Sequence, residues 1–491
     1  MNILLASSEA APFARTGGLG DVCGSLPSEL AKLGHSAVLF LPGYRHALNC
    51  GECIETTEVV FDIPIGGKIV FGRLLKSTFP GTDTPVYFVH QPDYFDREGL
   101  YSEGKQDYRD NCERFVFFCR AVLESIRQLN LEIDVIHCND WQTGLIPAYL
   151  NTDYAEARGY EKIASLFTIH NLEYQGLFWH WDMLLTGLDW KYFNWRQMEY
   201  FGQLNLLKTG LVFADAISTV SPRYAQEIQT YERGCGLQGL LQDRSNDLSG
   251  ILNGVSYEVW NPETDEHLAS NYTVDDWRTE KPKCKAALQE AMGLPVAHKP
   301  LLGAVGRLTR QKGWDLILEV MRRWLPSVDV QWVILGSGED FYESQLRALA
   351  EEYPHKLAVQ IDFSEPLSHQ IEAGSDFFLM PSLYEPCGLN QIYSLKYGTP
   401  PVVRETGGLA DTITDASAEN LAAGVANGFS FQEFSSDALE QTLRRACNLY
   451  RDQSDDWTKL VETGMQQDWS WSRSAAKYVE LYQQLVDRRR Q

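Results

Sequence analysis

Short apolar runs alternate with amphipathic stretches along the chain, the pattern of parallel strands buried on both faces with helices between them. Apolar segments at 3–7, 37–41, 85–90, 133–137, 163–169 and 214–220 predict strands of one such sheet. Helices are expected at 22–33, closed by Gly34, and at 110–129. Between 43 and 87 the period shortens to alternating pieces, 59–64 and 69–74, which predict an antiparallel hairpin at the sheet edge. The rhythm restarts at 301–305 and returns at 332–335, 356–361, 377–380 and 401–403, with helices expected at 314–325, 439–450 and 472–486. A polar connection from about 250 to 280 separates the halves and marks a domain boundary.

The run 377–380 breaks at Pro381, and Pro386 and Gly388 then lead into the amphipathic stretch 389–397. A helix start reached this way presents unpaired N–H groups and the positive end of a dipole, so it suits an anion; Glu385 stands in the same loop. The device recurs where 401–403 runs into Thr406-Gly407-Gly408-Leu409-Ala410-Asp411, and this is echoed near the start by Thr16-Gly17-Gly18-Leu19-Gly20-Asp21. The spacing of the echo is far too long for a solenoid repeat. Two separate α/β units, each presenting a glycine-rich loop at its strand ends, are the simplest architecture that uses both. Taken without a ligand, the same stretches are two turns of a parallel sheet.

Other strand ends carry chemistry. Asn139-Asp140-Trp141 follows one predicted strand and His170-Asn171 follows the next, where doubly wound folds bind ligands. Arg307 and Lys312 flank a loop before a predicted helix, as a diphosphate requires; a solvated basic turn is the alternative. Phe363 lies on another loop at the carboxyl edge, placed to stack on a base. The aromatic and acidic segment 93–101 has the residue types that bind sugars, but reads better as a loop whose rings close over a core. The tryptophan-rich segment 174–200 either faces an acceptor or caps the fold.

Composition narrows the partners. With 491 residues the chain needs two or three domains, and a formal charge of −23 argues against a nucleic-acid or anionic-membrane surface while allowing a neutral polymer. No stretch reaches membrane-span length and no basic leader precedes the first strand, so a soluble cytoplasmic protein is expected. Ten scattered cysteines fit reduced thiols, and Cys50-Gly51-Glu52-Cys53 lacks the further ligands of a zinc site, leaving incidental loop cysteines or, as the lesser reading, a redox pair.

From TGGLGDV through HCNDW, TIHN, GILNG, GRLTRQKG and EPCGLNQ to TGGLADT, the chain resembles bacterial glycogen synthases and plant starch synthases over essentially its whole length. The resemblance implies the glycosyltransferase-B type of α/β fold, two Rossmann-like domains facing each other across a cleft: an acceptor-side domain at 1–255, a nucleotide-sugar domain at 256–465, and a last helix within 466–491 that packs back on the first. It implies a retaining glucosyltransferase that moves glucose from ADP-glucose to an α-1,4-glucan or malto-oligosaccharide, with no cofactor and no metal. Carried over position by position, it puts Arg307 and Lys312 on the diphosphate, and Glu385 with the backbone around Cys387, Gly388 and Leu389 on the glucose. Gly18 would approach the phosphates, with Arg15 and Asp21 near the nucleotide, Thr406, Gly407 and Gly408 lining the donor, and Phe363 on adenine. Asp140, His170 and Asn253 fall around the transferred sugar and acceptor.

Two positions depart from the family pattern: Arg15 replaces the usual lysine of its glycine loop, and Gln142 stands where many bacterial members have histidine. The rival readings are a UDP-sugar transferase or non-hydrolysing epimerase, and a glucan-binding paralogue without catalysis, which intact Arg307, Lys312 and Glu385 argue against. A dehydrogenase fits less well, because neither half shows G-x-G-x-x-G with a ribose-binding acid about 20 residues on.

Overall fold

The computed structural model describes residues 1–452 and 454–490. It divides into two compact units, Met1–Gly254 joined by the C-terminal segment from Trp471, and Val255–Ser470.

Among the described residues, the first unit is built on a nine-stranded sheet. From one edge to the other its strands are Leu248–Gly250, Ala216–Thr219, Ala164–Ile169, Val135–Asn139, Asn2–Ala6, Ser36–Pro42, Pro85–His90, Lys68–Thr78 and Glu55–Ile65. The first seven run parallel, and the last two form the antiparallel hairpin at the edge. Glycines Gly17 and Gly18 obscured the start of the first helix, which spans Gly18–Lys32. The aromatic segment at 93–101 closes over the core, with Phe95 fully buried and Tyr94 nearly so.

The helix Trp471–Arg490 packs on the helix Gly18–Lys32 and against the strands Ala164–Ile169 and Val135–Asn139. Its inner face buries Tyr478 and Tyr482 completely. The Tyr482 hydroxyl lies 2.7 Å from Nδ1 of the buried His137, whose Nε2 lies 2.6 Å from Thr168 Oγ1. Burial holds the His137 imidazole neutral by lowering its pKa to about 3. At its end Arg488, Arg489 and Arg490 meet Asp247, Asp215 and Asp134, carboxylates that each immediately precede a strand.

Among the described residues, the second unit holds a six-stranded parallel sheet in the order Leu357–Gln360, Gln331–Leu335, Leu301–Val305, Phe377–Met380, Pro401–Arg404 and Phe429–Phe431. Neighbouring residues of a strand enter opposite cores. Trp332 and Phe377 pack with Trp314, Trp324 and Trp457 on one face, while Val333 and Phe378 pack with Leu288, Ile371 and Val403 on the other. Sequence patterning placed a polar connection through 280, yet Trp277–Ala291 is a helix. Its inward stripe carries lysines, which hid the apolar period. Lys281 is buried and donates to Ala373 O and Thr399 Oγ1 at 2.7 and 2.6 Å, and Lys285 pairs with Asp376 at 2.6 Å.

Removing the hydroxyl in Tyr482→Phe leaves the buried His137 Nδ1 short of its partner. The expected cost is about 1–3 kcal/mol, read as a lower urea midpoint for the transition of the first unit, with Tyr482→Leu costing more.

Candidate active site

In the second unit three loops at the carboxyl ends of adjacent strands are pressed against one another by glycines. Gly313, at φ +77°, ends the loop after Leu301–Val305, and a Cβ there would lie 2.2 Å from Pro381 O. Gly407, at φ +45°, would bring a Cβ to 1.9 Å from Glu385 O, and Gly408 to 2.1 Å from Cys387 O. Contacts this short admit no side chain at any of the three positions. Hydrogen bonds complete the lock: Leu383 N–H donates to Gln311 O at 2.8 Å, Gly408 N–H to Glu385 O at 3.2 Å, and Arg404 Nη1 to Leu383 O at 2.8 Å.

Within this frame Lys312 Nζ donates to Glu385 Oε2 at 2.6 Å, and Ser382 Oγ donates to the same oxygen at 3.0 Å. Glu385 is buried, while Lys312 keeps a quarter of its side chain exposed. Arg307 is exposed on the loop that also carries Lys312, with Nη2 3.5 Å from Gln311 Oε1. Gly388 takes φ +72° immediately before Leu389, which caps the helix Asn390–Lys396 without a side-chain cap bond. Cys387 is buried beneath, and Gln391 Nε2 donates to the carbonyls of Cys387 and Gly388 at 3.1 Å each. Thr406 caps the short helix Gly407–Thr412. Phe363 is 74% exposed on the loop after the strand Leu357–Gln360.

The glycine loop of the first unit is built differently. A Cβ at Gly17 or Gly18 would meet open space, so packing does not require a glycine at either position at the start of the helix Gly18–Lys32. The loop hangs on Glu9, which accepts from Thr16 N–H at 2.5 Å, Thr16 Oγ1 at 2.7 Å and Tyr101 O–H at 2.8 Å. Arg15 Nε and Nη2 fork onto the two oxygens of Asp21 at 2.8 and 3.2 Å, so these two expected donor contacts hold each other.

Asp140 and His170 are brought together at the ends of paired strands. Asp140 sits at φ +55° and ψ −178°, a strained conformation for a residue other than glycine, and is held there by its own N–H on Thr168 O at 3.0 Å and by His170 N–H on Oδ1 at 2.7 Å. Burial raises the Asp140 pKa to about 7, against the lowering by the His170 amide, and the nearby Glu9 charge pushes the same way as burial. His170 Nε2 donates to Asn139 Oδ1 at 2.9 Å, which leaves Nδ1 as the acceptor, and burial lowers its pKa to about 3. Asn253 Oδ1 and Gln142 Oε1 are buried with no partner among the described residues.

Glu9, Ser382 and Arg404 were not singled out from the sequence, while Tyr101 and Gln391 stood only within the aromatic segment 93–101 and the EPCGLNQ run, with no role given to either. A signal existed for Glu9, a carboxylate just beyond the first strand, by the rule that pointed to Asp140; nothing marked Ser382 or Arg404. Among the described residues no cluster of three histidine, cysteine or carboxylate side chains could hold a metal, and no helix is long and apolar enough to cross a membrane.

Two parallel-sheet α/β units with polar loops gathered at their strand ends define a glycosyltransferase of the GT-B type. The starch synthase catalytic domain family matches residues 2–243, and glycosyl transferases group 1 matches residues 292–461. A glycogen synthase of Rhodopirellula baltica is 48% identical over 99% of this chain and 98% of its own, and one of Syntrophotalea carbinolica is 46% identical over 99% of both. The solved catalytic domain of starch synthase IV from Arabidopsis thaliana, bound to ADP and acarbose, superposes with a TM-score of 0.90 at 33% identity over 99% of both chains. The chain belongs to the glycogen synthase family.

Gly408→Ala drives a methyl group into Cys387 O. Expected are a loss of about 1–3 kcal/mol, seen as a lower thermal midpoint, and a fall in glucosyl transfer, whereas Gly17→Ala leaves the thermal midpoint unchanged.

Proposed function

We propose that this chain transfers glucose from ADP-glucose to the non-reducing end of an α-1,4-glucan with retention of anomeric configuration. The observation that carries the reading is the cluster of Arg307, Lys312 and Glu385 on glycine-locked loops of the second unit. A departing nucleoside diphosphate needs cations fixed before the reaction begins, and a sugar donor needs a carboxylate for its hydroxyls. The adenine nucleotide of the starch synthase IV complex supports ADP as the leaving group.

In this scheme Arg307 and Lys312 take up the charge of the diphosphate, and Gly18 presents its N–H to a phosphate. Glu385, held by Lys312 and Ser382, binds glucose hydroxyls beside the backbone of Cys387, Gly388 and Leu389. Phe363 stacks on adenine. Thr406, Gly407 and Gly408 shape the donor loop. The C1–O bond to the diphosphate breaks, the acceptor oxygen bonds to C1 on the same face, and the acceptor proton passes to the departing phosphate oxygen. Neutral His170 offers Nδ1 to a sugar hydroxyl, Asn253 offers its unpaired Oδ1, and ionised Asp140 steadies the positive charge that develops on the sugar. Arg15 and Asp21, paired with each other, keep the Gly18 loop in position for the nucleotide. The family context and the absence of a membrane-length helix among the described residues support a cytoplasmic enzyme.

The test is incorporation of labelled glucose from ADP-glucose or UDP-glucose into maltotetraose. Preference for ADP-glucose, with transfer abolished in Glu385→Ala and lowered about 10²–10³-fold in Lys312→Ala, is the expected outcome. Preference for UDP-glucose, or full activity in Glu385→Ala, overturns the proposal.

A pH profile tests the role of Asp140. Because burial raises its pKa to about 7, the carboxylate forms only as the pH rises through that value, and kcat should decline with unit slope below it. Asp140→Asn should be slow at every pH and lack that limb.

A further inference from the structure

The tryptophan-rich segment is not a helical cap: it sends Met183, Leu188 and Met198 into the core and leaves its tryptophans outside. It forms a small antiparallel sheet of Leu177–Trp179, Gln203–Asn205 and Glu199–Tyr200, with short turns on one side. Its outer rings are open to solvent, with Trp179, Trp181, Trp190 and Trp195 between 41% and 71% exposed. Trp179 and Trp181 lie 6.4 Å apart, Trp181 and Trp190 5.4 Å, and Trp190 and Phe193 5.1 Å, so the rings make a continuous row.

The support beneath this row is rigid. Lys208 Nζ donates to Trp195 O and Glu199 O at 2.6 Å each, and Arg120 Nη2 donates to Thr186 O at 2.6 Å. A Cβ on Gly176, at φ +62°, would lie 2.5 Å from Trp141, and Phe178 packs on the same indole at 5.6 Å. Trp141 directly follows Asp140. The anchored strand thus turns Phe178 inward to the proposed acceptor residues and Trp179 outward. Large apolar rings held in place yet left wet mark an interaction surface.

We propose that this aromatic row is a docking surface for the α-glucan polymer, separate from the residues that hold its reacting end; the inference rests on the glucan-synthesis reading above. Sugar rings present C–H faces to aromatic rings and hydroxyls to the polar groups between them, here His180, Asp182 and Asp189. A second copy of the chain fits less well, since each copy carries a formal charge of −23. The neutral polymer meets no such repulsion.

The experiment compares the wild-type chain with the triple variant Trp179→Ala, Trp181→Ala, Trp190→Ala. Electrophoretic retardation by glycogen, KM for glycogen and for maltotetraose, and sedimentation velocity are measured on both. Expected are loss of retardation and a rise in KM for glycogen of roughly tenfold or more, with KM and kcat on maltotetraose unchanged. Unchanged retardation and KM for glycogen overturn the proposal, and so does a dimer that dissociates in the variant while glycogen binding persists. If the wild-type chain transfers glucose to neither acceptor but its glycogen binding depends on the tryptophans, the reading of function fails and the docking surface stands. Should the triple variant lose maltotetraose activity through misfolding, Trp179→Ala alone is held to the same criteria.

Discussion

The second unit depends on places where backbone touches backbone across loops, among them Gly313 on Pro381 O, Gly407 on Glu385 O, and Gly408 on Cys387 O. Loops are ordinarily the variable and mobile part of an α/β fold. Here the carboxyl ends of three strands are pressed together as closely as core elements, and the polar side chains they carry inherit that rigidity. Lys312 and Glu385 come from loops 73 residues apart in sequence, yet they meet at 2.6 Å on loops that glycines allow to lie this close. Fixed charge is worth more than mobile charge to a reaction that develops charge, because nothing must reorganise as it proceeds.

The first unit reaches an ordered loop by polar means. Its glycines face open space, and order comes instead from Glu9, whose carboxylate gathers the Thr16 amide and hydroxyl and the Tyr101 hydroxyl. The same carboxylate raises the cost of ionising Asp140, which burial already makes high. Asp140 is thus held in its strained conformation by Thr168 O and the His170 amide, while burial, reinforced by the Glu9 charge, sets its acidity.

Much of this was legible in the sequence because it rests on local rules. Buried parallel strands are continuous apolar runs, so 377–380 was read to the residue, and the helix 314–325 to within one. Both glycine loops were visible, but the echo between them concealed a difference: the paired glycines face open space in one unit and pack closely on backbone in the other. Glu9 was missed because its partners, Thr16 and Tyr101, lie 7 and 92 residues away and no period links them. The helix Trp277–Ala291 was missed because Lys281 and Lys285 face inward, satisfied by carbonyls and by Asp376 that belong to distant segments. Tertiary partners overrode local polarity in each case.

The charge of the chain raises a last physical question: why a protein with 66 acidic and 43 basic residues should hold an anionic donor at all. Screening answers most of it. Exposed charges more than roughly 8–10 Å away are largely cancelled by salt at physiological strength, so the surface carboxylates scarcely reach the loop that bears Arg307 and Lys312. What remains is local. Arg307 and Lys312 together outweigh Glu385 by one positive charge, and the start of the helix Asn390–Lys396 adds a partial one. Glu385 does not simply cancel Lys312. An ammonium has three N–H donors, and the contact with Oε2 engages one of them, so the carboxylate holds the cation in place and leaves two donors for the phosphate of the proposed donor site. The acidic surface then keeps polyanions such as nucleic acid away from the rest of the protein, and an uncharged glucan is indifferent to it.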